Sequence, residues 1–430
     1  MTTKEIYALF VKHPFLTTDT RKCIPGSLFI ALKGETFNGN TFAQKAIQEG
    51  CSYAFVDEPE YADNQRIFFV EKGGLKTLQD LANFHRRQFT IPVLAITGTN
   101  GKTTTKELIA SVLSKGHKVL YTQGNLNNHI GVPLTLLRLT GEHTIAVIEM
   151  GANHLGEIAA LCTIAEPTFG LITNVGKAHL EGFGSFEGVK RTKGELYDYL
   201  KSNNGKIFLQ GDNVHLSEMT NGNECMRYGK GENNLIIGSV VSCDPYLTFK
   251  WQVRGGKYVY TVQTKLTGSY NLDNILAAIA VGRHFGITPA DSNKAISEYV
   301  PTNNRSQVMQ TTRNTLIVDA YNANPASMTV ALENFRDLQM PSKVLILGDM
   351  RELGVDSDDE HQKVALLAEQ SHAEQIILVG PSFGATNSNA SKFASADTLK
   401  DWLKEHPLEG KTILIKGSNS MRMESLVDTL

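Results

Sequence analysis

The densest chemistry in this sequence lies in Val93-Leu94-Ala95-Ile96-Thr97-Gly98-Thr99-Asn100-Gly101-Lys102-Thr103-Thr104-Thr105. Five apolar or β-branched residues run into a loop bracketed by Gly98 and Gly101. The loop then enters a helical pattern of Leu108, Ile109, Val112 and Leu113. Strand, tight turn and helix in that order are the setting of a phosphate-binding loop. The glycines let backbone N–H groups approach a polyphosphate, and the helix aims its positive end at the same anion. Lys102 can reach the β- and γ-phosphates, and the Thr103 hydroxyl is placed to hold Mg²⁺. The usual motif carries a further glycine where Ile96 stands, so the loop reads as the shortened form G-x-x-G-K-T-T. The expectation is an ATP or GTP site, against a glycine turn with an incidental lysine.

Further polar groups gather just past strand-like runs. Thr144-Ile145-Ala146-Val147-Ile148-Glu149 delivers a single carboxylate at its end, where open parallel sheets place ligands. A nucleotide's Mg²⁺ needs such an acid, so Glu149 is the candidate, with helix capping as the alternative. Phe169-Gly170-Leu171-Ile172 likewise stops at Thr173 and Asn174, with His179 close behind. A histidine there either joins the metal site or is structural. The run Gly124-Asn125-Leu126-Asn127-Asn128-His129 offers uncharged amides that either bind sugar and peptide groups or cap a helix. Asn271 and Asn274, three apart at the start of a helical stretch, either read a base edge or sit on a solvated first turn.

These residues need a scaffold, and 430 residues predict about three domains. The fold class is α/β throughout: a small α/β N-terminal domain over 1–88, a central P-loop mononucleotide-binding parallel sheet over 89–300, and a C-terminal Rossmann-like α/β domain over 301–430. In the first, helices open the chain and occupy 41–49 and 75–89, with strands at 27–32, 53–56 and 67–70. Its loops Thr18–Arg21 and Lys33–Gly39 are either solvated turns or a ligand pocket. Short β-prone runs over 206–265 read as added strands. Residues 301–304 read as a linker, and Leu316–Val318, Val344–Leu347, Ile376–Val379 and Thr412–Ile415 as four strands of a second parallel sheet. That sheet lacks a G-x-G-x-x-G fingerprint, so it is not read as a dinucleotide domain.

With 41% hydrophobic and 20% charged residues and a net charge of -2, the composition is that of an ordinary globular protein and gives no pull towards nucleic acid. No signal peptide or membrane-spanning run is legible, so a cytoplasmic protein is expected. Cys23, Cys51, Cys162, Cys225 and Cys243 have neither metal-ligand nor redox-pair spacing and read as free thiols.

Taken together, the motifs resemble the Mur ligases of peptidoglycan synthesis, over nearly the whole chain. The carrying segments are Thr97–Thr104, Asn125–Leu137, Glu149–Ile158, Tyr321-Asn322-Ala323-Asn324-Pro325 and Gly348–Gly354. The resemblance implies an ATP-dependent ligase that joins D-alanyl-D-alanine to the terminal carboxylate of a UDP-N-acetylmuramoyl-tripeptide through an acyl phosphate, and acts as a monomer. It implies that Thr103 and Glu149 hold one Mg²⁺, and that Glu149, His179 and an N-carboxylated Lys193 hold a second. By itself Lys193 reads as a surface helix lysine. The resemblance also places adenine near Asn271 and Asn274, and gives Arg305 and Asp319 to the nucleotide. Thr20, Arg21, Glu35, Thr36 and Phe37 fall to the uridine end, and Tyr321, Asn322 and Asn324 to the dipeptide. Asn127, Asn128, Thr173 and Asn174 complete the substrate side. Asn304 stands where relatives often carry glycine, and Val318-Asp319-Ala320 where they often carry Asp-Asp-Ser. A folylpolyglutamate synthetase-like ligase and a P-loop switch or kinase are the rival readings.

Overall fold

The structure, a computed structural model, describes residues 1–176, 180–220, 222, 224–302 and 304–430. Three sheets follow one another along the chain. The first holds four parallel strands in sequence order: β1 (Leu16–Thr17), β2 (Leu28–Ile30), β3 (Tyr53–Val56) and β4 (Ile67–Phe69).

The second sheet contains β5 (Val93–Thr97), β6 (Val119–Tyr121), β7 (Ile145–Glu149), β8 (Phe169–Ile172), β9 (Lys206–Gln210), β10 (Cys225–Gly229), β11 (Ile236–Cys243), β12 (Tyr246–Val253) and β13 (Val259–Thr267). Their spatial order is 13-12-11-10-9-8-5-7-6. β5 to β11 run parallel, and β12 and β13 are added antiparallel at one edge. The expected added strands are therefore an extension of the nucleotide sheet.

The third sheet holds β14 (Gln307–Gln310), β15 (Thr315–Asp319), β16 (Lys343–Gly348), β17 (Gln375–Val379), β18 (Ser391–Phe393) and β19 (Thr412–Lys416), in the order 14-15-19-16-17-18. All four expected strands are present. The two short edge strands β14 and β18 carried too little apolar sequence to stand out.

The parallel strands are continuous apolar runs because both sheet faces are covered. In β5, Val93 and Ala95 join one core layer while Leu94 and Ile96 join the opposite one. The third sheet does the same, with Val344 and Ile346 on one face and Leu345 and Leu347 on the other. The helix Gly74–Arg86 fastens the first sheet to the second. Its buried His85 donates from Nε2 to Leu139 O at 3.0 Å, and Arg86 Nε donates to Ala165 O at 3.0 Å. In the linker, Asn304 has φ 54, a left-handed conformation that asparagine tolerates better than most residues.

Candidate active site

The site forms where the strand order reverses. The end of β5 lies between β7 and β8, with Ile96 paired to Glu149 and Thr97 to Ile172. Three strand ends thus release the glycine loop, the Glu149 carboxylate and the Thr173-Asn174 turn into one crevice, as the topology of open α/β sheets dictates.

Two glycines are sterically required in the loop. A Cβ on Gly98 would sit 2.0 Å from Thr173 Oγ1, and Gly101 has φ 79 with Asn274 Oδ1 2.8 Å from where its Cβ would be. Thr173 and Asn174 hold the loop backbone: Thr173 Oγ1 donates to Asn100 O at 2.6 Å. Asn174 Nδ2 donates to the same oxygen at 3.0 Å, and its Oδ1 accepts from Asn100 N at 3.0 Å. Gly101 caps the helix Lys102–Leu113, whose N-terminal N–H groups face the crevice with Lys102, Thr103 and Thr104. The Lys102 ammonium donates to Gly98 O (2.8 Å) and Thr99 O (2.9 Å). Burial lowers it to about 8, with the Glu149 carboxylate pulling the other way and Arg305 adding to the fall.

Glu149 is 1% exposed, so its charge is answered locally. Its Oε1 accepts from Asn127 Nδ2 at 2.8 Å and from Thr103 Oγ1 at 3.2 Å, and Lys106 Nζ stands 3.8 Å from Oε2. Oε2 itself has no hydrogen-bond partner. A buried, orphaned carboxylate oxygen beside a threonine hydroxyl is a hard-oxygen donor set that fits Mg²⁺, which is typically bound through one or two carboxylates and substrate phosphates. Among the described residues no three His, Cys, Asp or Glu side chains converge on one point. His179 lies outside the described residues.

Lys193 corrects the local reading as a surface lysine: it is 2% exposed. The helix Phe186–Ser202 buries Val189, Lys193, Leu196 and Leu200, and Lys193 occupies a position on that stripe. Its Nζ donates to Ala152 O at 3.3 Å and lies 5.1 Å from the centre of the Phe183 ring. Burial lowers the ammonium to about 7, with Lys102 adding to the fall and Glu157 and Glu195 opposing it. The apolar stripe spacing was the signal that could have flagged it.

The opposite wall comes from the helix Asn271–His284 and from the third sheet. Asn271 and Asn274 are buried, which excludes the solvated-turn alternative. Asn274 donates to Asn271 Oδ1 at 2.9 Å and accepts from Thr105 Oγ1 at 3.0 Å; Asn271 donates to Thr267 O at 2.8 Å. The Arg305 guanidinium lies 3.7 Å over the Tyr321 ring, and its Nε is buried without a partner. Asp319 Oδ2 accepts from Lys416 Nζ at 2.5 Å and Oδ1 from Ser306 N at 3.3 Å, while Tyr270 OH meets Ser306 Oγ at 2.7 Å. Asn324 caps the helix Pro325–Asp337 through Ser327 N and also reaches Asn100 in the phosphate loop.

Together these groups enclose a cavity of about 650 Å³, walled by Thr99–Thr104, Asn127, Asn128, Glu149, Asn174, Asn271, Asn274, Arg305, Asp319, Tyr321 and Asn322. Asn128 Oδ1 also holds the turn leading into the helix Gly131–Leu136, accepting from Ile130 N at 3.1 Å and Gly131 N at 2.9 Å. Thr20, Arg21, Glu35, Thr36 and Phe37 lie on the first sheet's loops and do not line this cavity. Arg21 is held by Asp19 at 2.8 Å, and half-exposed Phe37 stacks on Phe42. Lys106, Tyr270, Ser306 and Lys416 were missed in the sequence. A single lysine closing the apolar run Thr412–Ile415 was a signal for Lys416, and nothing local marked Lys106, one turn beyond Lys102.

Three family profiles match the chain in order: Mur ligase family, catalytic domain, over residues 13–85; Mur ligase middle domain over 96–282; and Mur ligase, glutamate ligase domain, over 304–419. The UDP-N-acetylmuramoyl-tripeptide--D-alanyl-D-alanine ligase of Escherichia coli (strain K12) is 36% identical, with 96% of this chain and 93% of that protein aligned. The crystal structure of MurF from Acinetobacter baumannii superposes with a TM-score of 0.85 at 32% identity, covering 96% of this chain and 92% of the other. MurF ligase from Thermotoga maritima, in complex with ADP, superposes with a TM-score of 0.86 at 25% identity and 97% coverage of both chains. With three family profiles in succession over residues 13–419 and a relative 36% identical over 96% of this sequence, the chain belongs to the Mur ligase family.

Proposed function

We propose that this chain is an ATP-dependent ligase that joins D-alanyl-D-alanine to the terminal carboxylate of a UDP-N-acetylmuramoyl-tripeptide. The observation that carries this reading is the shared cavity in which Lys102 and Glu149 of the second unit face Arg305, Tyr321 and Asn322 of the third. A nucleotide switch needs no third-sheet wall, whereas a ligase must bring an amine to an activated acyl group. Residues 1–88 bind the sugar nucleotide, 89–300 bind ATP and 301–430 present the dipeptide.

A carboxylate is a poor electrophile, so the tripeptide carboxylate first takes the γ-phosphoryl group of ATP, with ADP leaving. Lys102 and the loop N–H groups neutralise charge on the transferring phosphoryl oxygens, acting by position and electrostatics. Thr103 and Glu149 hold Mg²⁺, which when bound supplies further positive charge to the phosphates. Lys106, fully buried, pairs with Glu107 at 2.9 Å and stands 3.8 Å from Glu149, adding positive charge beside that carboxylate. The dipeptide amine then attacks the acyl carbon, phosphate departs, and the amine proton passes to phosphate or solvent. Arg305 binds the nucleotide as the third sheet closes on the loop, and closure excludes the water that hydrolyses acyl phosphates.

Lys193, once N-carboxylated, would hold a second Mg²⁺ with Glu149 and His179, as the family resemblance implies. Its burial supports this, because only a neutral amine adds to CO₂ and an ammonium lowered to about 7 supplies one near neutral pH. The exposed Arg21 and Phe37 offer a cation and an aromatic face to the uridine diphosphate end. The test is phosphate release across a panel of muramyl peptides and amines. Release is expected only with ATP, UDP-N-acetylmuramoyl-tripeptide and D-alanyl-D-alanine together. Release without any amine, or only with glutamate as the amine, would overturn the assignment.

A further inference from the structure

Cys23 and Cys51 are 28 positions apart, yet their sulfur atoms lie 3.0 Å from one another. Two backbone contacts bring them together. Gly26 N donates to Gly50 O at 2.9 Å and Ser52 N donates to Ser27 O at 2.7 Å, so the segments 23–27 and 50–52 run side by side. Ser27 Oγ adds a third contact, 3.1 Å from Cys51 Sγ. Cys51 is fully buried, whereas Cys23, just after the turn Thr20–Lys22, is partly exposed. The pair is therefore reached from solvent on one side only.

We propose that Cys23 and Cys51 form a reversible disulfide site, oxidised through Cys23 by exchange with small-molecule disulfides. A disulfide sets its sulfurs about 2.04 Å apart, so the two need to close by about 1 Å. The Cys23 thiolate attacks the reagent's S–S bond and releases one thiolate, leaving a mixed disulfide on Cys23. Cys51 then loses its proton and attacks Cys23 Sγ, expelling the second thiolate. Two electrons pass from the cysteines to the reagent, which ends as two thiols. Burial, with the Cys51 thiol adding to it, pushes the Cys23 thiol up to about 12, so exchange is slow at neutral pH and accelerates as pH rises. The bond ties the loop carrying Thr20 and Arg21 to the start of β3, and shortens the unfolded chain's free loop.

The test is peptide mapping of the full chain after incubation with glutathione disulfide at alkaline pH and quenching with an alkylating agent. The expected product is a Cys23–Cys51 cross-linked peptide pair, two hydrogens lighter, restored by dithiothreitol and formed about tenfold faster per pH unit while the thiolate is scarce. A melting temperature a few degrees higher should accompany it. Cys51→Ser should stop at a stable glutathione adduct on Cys23, and Cys23→Ser should leave Cys51 unmodified. The wild-type map needs neither variant. Wild-type protein that keeps both thiols, or holds glutathione on Cys23 unresolved, overturns the proposal.

Discussion

Asn324 and Asn100 join the third sheet to the phosphate loop: Asn324 Nδ2 donates to Asn100 Oδ1 at 2.8 Å, and Asn100 Nδ2 lies 3.5 Å from Asn324 Oδ1. They are 224 positions apart. The Asn324 oxygen accepts from Ser327 N in the helix cap at 2.9 Å and only distantly from the loop, whereas its nitrogen makes the shorter bond to the loop, so that donor can be removed with the cap kept. Asn324→Asp keeps the capping oxygen and loses the donor. Its melting temperature should stay close to wild type while kcat falls about tenfold, the size of one lost hydrogen bond. A double-mutant cycle with Asn100→Ala measures the coupling; additive losses would show that the pair does not act as a unit.

Lys102→Ala removes the ammonium that donates to Gly98 O and Thr99 O at the cavity wall, while both loop glycines remain in the sequence. Circular dichroism should match wild type, and phosphate release should fall by at least about a hundredfold. Substantial retained turnover would contradict the phosphate-loop reading.

Lys193→Ala empties a buried position of both its amine and any carboxylate built on it. Activity should be nearly abolished and partly restored by short carboxylic acids that occupy the vacated space. Carbon-13-labelled bicarbonate should give a carbamate resonance in the wild type that is missing from the variant. An unmodified amine under CO₂ and Mg²⁺ would count against the proposed role.

His85 is a pH-dependent fastener between the first and second sheets. Its Nε2 donates to Leu139 O, its Nδ1 accepts from Tyr7 OH at 3.2 Å, and burial lowers its pKa. An unfolded histidine takes up a proton near pH 6.5, which the buried ring resists. The unfolded state therefore binds more protons below that pH, and stability falls as pH drops through it. Chemical denaturation from about pH 7 to 5 should show this loss in wild type. His85→Gln should show a shallower one, and identical slopes would place the pH dependence elsewhere.

Some of the site was legible in the residues because its signals are local. Val93–Thr105 carries its strand, its turn and its helix in consecutive positions, and β7 ends on Glu149 for the same reason a reader can see: an apolar run stops at one acid. Strands buried on both faces announce themselves as unbroken apolar sequence, which made the parallel sheets of the second and third units readable. The short strands β1, β14 and β18 bury too little to leave such a mark.

Tertiary structure decided the contacts between distant positions. The burial of Lys193, the Asp319–Lys416 pair, the Asn100–Asn324 bridge and the meeting of Cys23 with Cys51 each join residues from separate elements or place one face of a helix against a sheet. Periodicity along a chain tells which face of an element is apolar, but not which other element will cover it. That choice is made by packing three sheets and their helices at once, so it became visible only when the chain was folded.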